Sequence, residues 1–100
     1  EETGIRISIQ GHAGDGNMHI QLMRDDMDKK LFEERCPKLM EELYAQAKTM
    51  GGQVSGEHGI GHARVGALET FMGPQMIALY QAIKNAFDEK HILNPGKVIR

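Results

Sequence analysis

The stretch that decides the fold is Ile5-Arg6-Ile7-Ser8-Ile9-Gln10-Gly11-His12-Ala13-Gly14-Asp15-Gly16-Asn17-Met18-His19-Ile20-Gln21-Leu22-Met23. Ile5, Ile7 and Ile9 alternate with Arg6, Ser8 and Gln10, the period of a strand with one buried face. Met18, Ile20 and Leu22 alternate with His19, Gln21 and Met23 in the same way. Between them Ala13-Gly14-Asp15-Gly16-Asn17 is rich in residues that tolerate positive φ, so the two strands are expected to form a hairpin. If the first strand keeps its phase, His12 shares a face with Arg6, Ser8 and Gln10. His19 shares its face with Gln21. Both imidazoles are therefore expected on the polar face of the hairpin, one on each arm.

Outward from the hairpin the period changes. Asp25, Asp26 and Asp28 offer helix N-caps, and a helical turn is expected through Leu31 and Phe32. Pro37 is expected to restart the helix at its first position, since it lacks the N–H an interior residue would need. Leu39, Met40, Leu43, Tyr44 and Ala47 follow at helical spacing until Gly51-Gly52. Gln53-Val54 could add a short strand, and the glycine-rich residues 56–66 are expected to be irregular. Gly73-Pro74 opens a second helix whose apolar stripe is Met76, Ile77, Leu79, Tyr80, Ile83 and Phe87. After Asn94-Pro95-Gly96 the last four residues form a tail or an edge strand. The expected fold class is α+β: a small antiparallel sheet with two main helices packed on one face.

Composition narrows the function classes. One hundred residues make one small domain, which buries only about 60–70% of the surface its unfolded chain exposes. A net charge of −2 without a basic cluster leaves no footprint for nucleic acid. No apolar run approaches the roughly 20 residues of a membrane span, and no signal-peptide pattern opens the chain. The single Cys36 excludes an intramolecular disulfide and fits a reducing, cytoplasmic compartment. A chain that begins Glu1-Glu2 in place of Met points to an excerpt of something longer, and processing would leave the same trace.

Two stretches carry chemistry: residues 11–19 and Ser55-Gly56-Glu57-His58-Gly59-Ile60-Gly61. Directly opposed residues on antiparallel strands have Cβ atoms about 4.5–5.5 Å apart, which would let two imidazoles meet one ion. Glu57 is then the candidate third ligand, and two His with one carboxylate and an open position make a catalytic set. The plainer alternatives stand beside this. His12 and His19 could be solvent-facing or hydrogen-bonded histidines, Glu57 a surface carboxylate, and His58 a turn histidine. Gly56, Gly59 and Gly61 could make a flexible loop, or let backbone approach a planar cofactor or an anion. Gly14-Asp15-Gly16 lacks the third glycine of a dinucleotide fingerprint, and no Gly-Lys-Ser/Thr of a phosphate loop occurs.

Taken in order, Gly11-His12-x-Gly14-Asp15-Gly16-Asn17-x-His19, the Ser55–Gly61 stretch and Leu93-Asn94-Pro95-Gly96-Lys97 closely resemble the C-terminal domain of the FAD-linked oxidases. That family includes the glycolate oxidase flavin subunit, D-lactate dehydrogenase and D-2-hydroxyglutarate dehydrogenase. The resemblance covers nearly the whole chain. It implies that residues 1–100 are the C-terminal, ferredoxin-like part of a substrate domain, with the flavin-binding domain absent from this chain.

The resemblance further implies His12, His19 and Glu57 as ligands of a divalent metal, zinc being the expected ion, and His58 as the base that takes a hydroxyl proton. Gln21 stands where relatives often have a substrate-contacting Asn, and Asn17 resembles a residue near the substrate. Asn94 resembles a residue that approaches the flavin. The implied reaction is oxidation of a small 2-hydroxy acid with FAD as acceptor, FAD being held mainly by the N-terminal domain of the same protein. An ion on the hydroxyl and carboxylate oxygens would lower the alcohol pKa, and an imidazole suits proton abstraction near neutral pH. The isolated chain is expected to be inactive and able to self-associate. The rival reading is a non-catalytic metal-binding or interaction module.

Overall fold

The structure is a computed structural model and describes residues 3–100. The chain divides into two compact units, Glu1–Gly51 and Gly52–Arg100. The α+β expectation holds, the described residues forming a two-stranded antiparallel sheet and three helices.

In the first unit β1 (Arg6–His12) and β2 (Asn17–Met23) form the hairpin. A single 3₁₀ turn, Ala13–Asp15, joins them. Gly16 ends that turn at φ 66, where its N–H returns to the Ala13 carbonyl at 3.2 Å. The register pairs Arg6 with Met23, Ser8 with Gln21, Gln10 with His19 and His12 with Asn17. Ile7–Leu22, Ile9–Ile20 and Gly11–Met18 fill the alternate positions and so form the apolar face. Ile5, at 6%, is a buried residue, whereas Ile9 and Met18 on that face keep 59% and 48% of their surface exposed.

One glycine fixes how closely the strands approach. A Cβ at Gly11 would lie 2.2 Å from the Asn17 carbonyl oxygen, and its φ of 150 lies beyond what side chains readily adopt. Only glycine fits there without moving the partner strand.

Helix α1 (Lys29–Thr49) starts at Asp28, whose carboxylate accepts from the Lys30 and Leu31 N–H groups at 3.0 and 3.3 Å. Of the three aspartates offered as caps, this is the one used. The helix runs without a break through Pro37, so the expected restart there does not occur. The reason lies in the stripe: Leu31, Phe32, Arg35, Cys36, Leu39, Met40, Leu43, Tyr44 and Ala47 are all half-buried, at one continuous helical phase. Side-chain burial across that stripe outweighs the one backbone bond Pro37 cannot make. Arg35 ties the helix to the chain start by donating to the Thr3 carbonyl at 2.6 Å.

In the second unit Gln53-Val54 is not a strand, and the final residues form neither strand nor helix. Helix α2 (Val65–Met72) is the element the glycine-rich composition had hidden. Val65, Leu68 and Phe71 are buried at i, i+3 and i+6 on it, and Val54 and Ile99 are the further buried apolar residues of this unit. Helix α3 (Pro74–Phe87) opens on Pro74 as expected.

The inward face of α3 departs from the apolar stripe. Leu79, Ile83 and Phe87 are 51%, 50% and 84% exposed, while Ile77, Tyr80, Gln81 and Lys84 are half-buried and Asp88 just beyond the helix is 4% exposed. Polar groups lie inward because the chain returning after the helix needs hydrogen-bond partners. The Asp88 carboxylate accepts from the Ile92 and Leu93 N–H groups at 3.0 Å each and from the Lys84 ammonium. Lys84 also donates to the Leu93 carbonyl at 2.6 Å. These bonds, the Lys84 ammonium foremost, hold the Asp88 carboxyl below the usual carboxylate range against the opposing effect of burial.

Candidate functional site

The hairpin register settles where the sequence-nominated residues of the first unit stand. His12, Asn17, His19 and Gln21 all lie on one face, with Ser8 and Gln10 between them. His12 faces Asn17 and His19 faces Gln10, so the two imidazoles are diagonal neighbours, not an opposed pair. Diagonal positions are about 7–8 Å apart, still within reach of long or ring side chains. His12 is exposed, while Asn17 and His19 are half-buried. Near the other end of the hairpin, Arg6 grips Asp25 with two hydrogen bonds of 2.8 and 2.7 Å. That contact holds the Asp25 carboxyl below its ordinary range.

In the second unit Glu57 and His58 lie side by side, with Glu57 Oε1 3.5 Å from His58 Nε2. Both are exposed, His58 at 65% and Glu57 at 47% of the side chain. The loop that carries them is ordered by specific bonds. Ser55 Oγ accepts from the Gly59 N–H at 2.8 Å, and the Arg64 guanidinium donates to the Gly59 carbonyl at 2.6 Å. Gly59 itself is at φ 76.

Asn94 is exposed at φ 46 and heads a turn in which the Lys97 N–H returns to its carbonyl at 3.3 Å. Pro95 and Gly96, the latter at φ 71, are the residue types a type II turn takes at its two centres. Two bonds join this turn to the glycine-rich loop: the Val98 N–H donates to the Gly61 carbonyl at 2.7 Å, and His62 Nδ1 lies 3.3 Å from the Gly96 carbonyl oxygen. The second stretch and the Asn94 turn are therefore one hydrogen-bonded assembly, although 30 or more residues separate them in the chain.

Sequence reasoning gave no individual role to four contributors to this assembly: Ser55, which it quoted only as part of the stretch, His62, Arg64 and Val98. Each acts through backbone groups of residues far along the chain or across a loop, so no period reports it. Val98 carries a signal only the structure shows. A β-branched residue at φ 65, bridged by a 2.7 Å bond from the Ile99 N–H to the Lys97 carbonyl, is strained and needs outside support. The bond to Gly61 supplies it. Cys36 plays no part: it is half-buried on α1, and burial pushes its thiol pKa up, which keeps it protonated.

Residues 1–98 match the family described as FAD linked oxidases, C-terminal domain. This chain belongs to that family. It is 41% identical, over 97% of its length, to a D-lactate dehydrogenase of Anaerostipes hadrus, of which it covers 20%. It is 45% identical over its full length to a D-lactate dehydrogenase of Archaeoglobus fulgidus, of which it covers 21%. With the glycolate oxidase subunit GlcD of Bacillus subtilis the identity is 39% over 94% of this chain and 20% of the relative. The chain thus spans about a fifth of the length of these relatives, which are oxidoreductases of 2-hydroxy acids by name. Among the described residues no helix is long and apolar enough to cross a membrane.

Proposed function

We propose that this chain forms the substrate- and metal-holding part of an FAD-dependent 2-hydroxy-acid dehydrogenase, with His12, His19 and Glu57 as ligands of a divalent ion and His58 as the base. The observation that carries the reading is the hairpin's polar face, which sets His12, Asn17, His19 and Gln21 in three successive cross-strand pairs. Two imidazoles and a carboxylate are a donor set that suits zinc or a similar ion. For the flavin, the chain offers an exposed Asn94 at a rigid turn and no dinucleotide-type phosphate loop, which fits contact with a flavin held by an N-terminal domain of the same protein.

When bound, the ion would draw in the substrate's hydroxyl and carboxylate oxygens, and the flavin would accept the Cα hydrogen as hydride. The remaining work falls to this chain. His58 receives the hydroxyl proton on an imidazole nitrogen, leaving a 2-oxo acid once the hydride has gone. Gln21 and Asn17 donate side-chain amide hydrogens to the substrate carboxylate. Asn94 steadies the flavin edge. The single Cys36 suits a cytoplasmic setting. Exposed apolar residues on the hairpin support contact with further protein, either the flavin domain or a second copy.

The test is turnover of the complete protein on a panel of small D-2-hydroxy acids, together with elemental analysis. His58→Ala should lower turnover roughly 100-fold or more and leave the metal content intact. His19→Ala should lower the metal content itself. Unchanged turnover in His58→Ala would remove it from the role of base, and absence of stoichiometric metal from the wild type would remove the ligand assignment.

A further inference from the structure

We propose that Ser55 and Arg64 are positioning residues for Glu57 and His58, acting as the two jaws of a clamp on the Gly59 peptides. The proposal rests on the reading of His58 as base and deepens it. The Gly59 N–H belongs to the peptide that follows His58, and the Gly59 carbonyl to the next one. Ser55 Oγ holds the first at 2.8 Å and the Arg64 guanidinium holds the second at 2.6 Å. Fixing both peptides fixes both dihedrals of Gly59 and the place of the His58 Cα, which lies in the first peptide plane, and the Ser55–Gly59 bond closes the short loop that carries Glu57 and His58.

What makes this a clamp is its footing. Ser55 directly follows the buried Val54, and Arg64 directly precedes the buried Val65. Both jaws are half-buried, whereas the residues they hold, Glu57 and His58, are exposed. Arg64 is further fixed at the start of α2, where its carbonyl accepts from the Leu68 N–H at 2.9 Å and its own N–H donates to the Ile60 carbonyl at 3.3 Å. The loop thus takes rigidity from a buried stem and delivers it to two exposed functional side chains. A loop needed only to connect two elements would not require both faces of one glycine to be held by side chains anchored at opposite ends.

The experiment compares Ser55→Ala, Ser55→Thr, Arg64→Gln and Arg64→Lys in the complete protein, with kcat, KM, flavin content and hydrogen–deuterium exchange of peptides spanning residues 55–64. Ser55→Ala and Arg64→Gln should each lower kcat about tenfold or more with KM little changed, and speed deuterium uptake in those peptides. Ser55→Thr, which keeps the hydroxyl, should restore both readouts, and Arg64→Lys should restore them in part. Unchanged uptake overturns the clamp; faster uptake with unchanged kcat overturns its positioning role. If Arg64→Gln does not fold, the Ser55 pair decides. Full turnover in His58→Ala would instead overturn the base assignment, while the exchange results would still report on the clamp.

Discussion

The hairpin and the glycine-rich loop bring their candidate side chains to the surface by different physics. In the hairpin, backbone register does the work: once Gln10 faces His19 and His12 faces Asn17, four polar side chains share a face. In the loop, side chains do the work, Ser55 and Arg64 gripping one glycine so that Glu57 and His58 are held. A ladder is cooperative and fails as a whole when its spacing is violated. A loop held by two separate side-chain bonds fails piecemeal. Glycine substitutions separate the two cases, because each region depends on a glycine for its own reason.

The largest effect is expected at Gly11. An alanine methyl would lie 2.2 Å from a backbone oxygen of the facing strand, which no rotamer change can relieve. Gly11→Ala should destabilise the protein by about 3 kcal/mol or more, read by urea denaturation, and, if the proposed ligand set holds, should lower metal content as His19→Ala does. A variant within about 0.5 kcal/mol of wild type would mean that the strands separate readily and that register is not what sets this face.

The next effect is expected at Asp88, the buried counterpart of the loop's exposed bonds. Its folded pKa is depressed, so its contribution is fully present above the unfolded value near 3.9 and is lost as pH falls through the lower folded value. Asp88→Asn should lower the melting temperature by about 10 °C at pH 7, and by progressively less as pH falls below the unfolded carboxylate value, where the wild type loses the same contribution. Parallel pH curves for the two proteins would show that the carboxylate charge is not what holds the Ile92 and Leu93 amides.

These two sites also mark what the sequence made legible. Strand alternation gave the hairpin, its polar face and the company of His12 with His19, because a period of two is written residue by residue. Asp28 as the cap of α1 and Pro74 as the opening of α3 were legible for the same local reason. Gly11 could be seen only as a glycine; that Asn17 blocks its Cβ depends on the register. Pro37 misled because its local penalty was visible while the stripe from Leu31 to Ala47 that overrides it had to be read across the proline. The α3 stripe misled more deeply: Lys84 and Asp88 turn inward for the backbone of residues 92 and 93, a demand no helical period can express. Ser55 and Arg64 were hidden for that reason too.

At Gly59 the comparison with Gly11 becomes sharp. Both glycines have positive φ, but a Cβ at Gly59 would meet nothing within 4 Å. Gly59→Ala should therefore cost only the left-handed backbone penalty, about 1 kcal/mol, and leave the fold and the hairpin intact. Its consequence should fall on catalysis, since relief of the strain would rotate the peptides that Ser55 and Arg64 hold. A loss of stability as large as that of Gly11→Ala would show that the loop is packed as tightly as the ladder.

The smallest effect is expected at the Arg6–Asp25 pair, which resembles Lys84–Asp88 in sign but lies in water. Arg6 holds the Asp25 carboxyl below its ordinary value through two good hydrogen bonds, so the pair contributes above the unfolded carboxylate pKa and loses that contribution as pH falls. Both side chains are largely exposed, at 63% and 44%, so solvent and salt screen most of the attraction. Asp25→Asn should shift the melting temperature by no more than about 2 °C at pH 7 in low salt, and the shift should vanish in molar salt. Asp25 also sits at φ 47, a conformation asparagine tolerates at least as well, so the substitution removes charge without adding backbone strain. A shift that matched Asp88→Asn and persisted in high salt would mean that this end of the hairpin is held by the ion pair and not by the ladder.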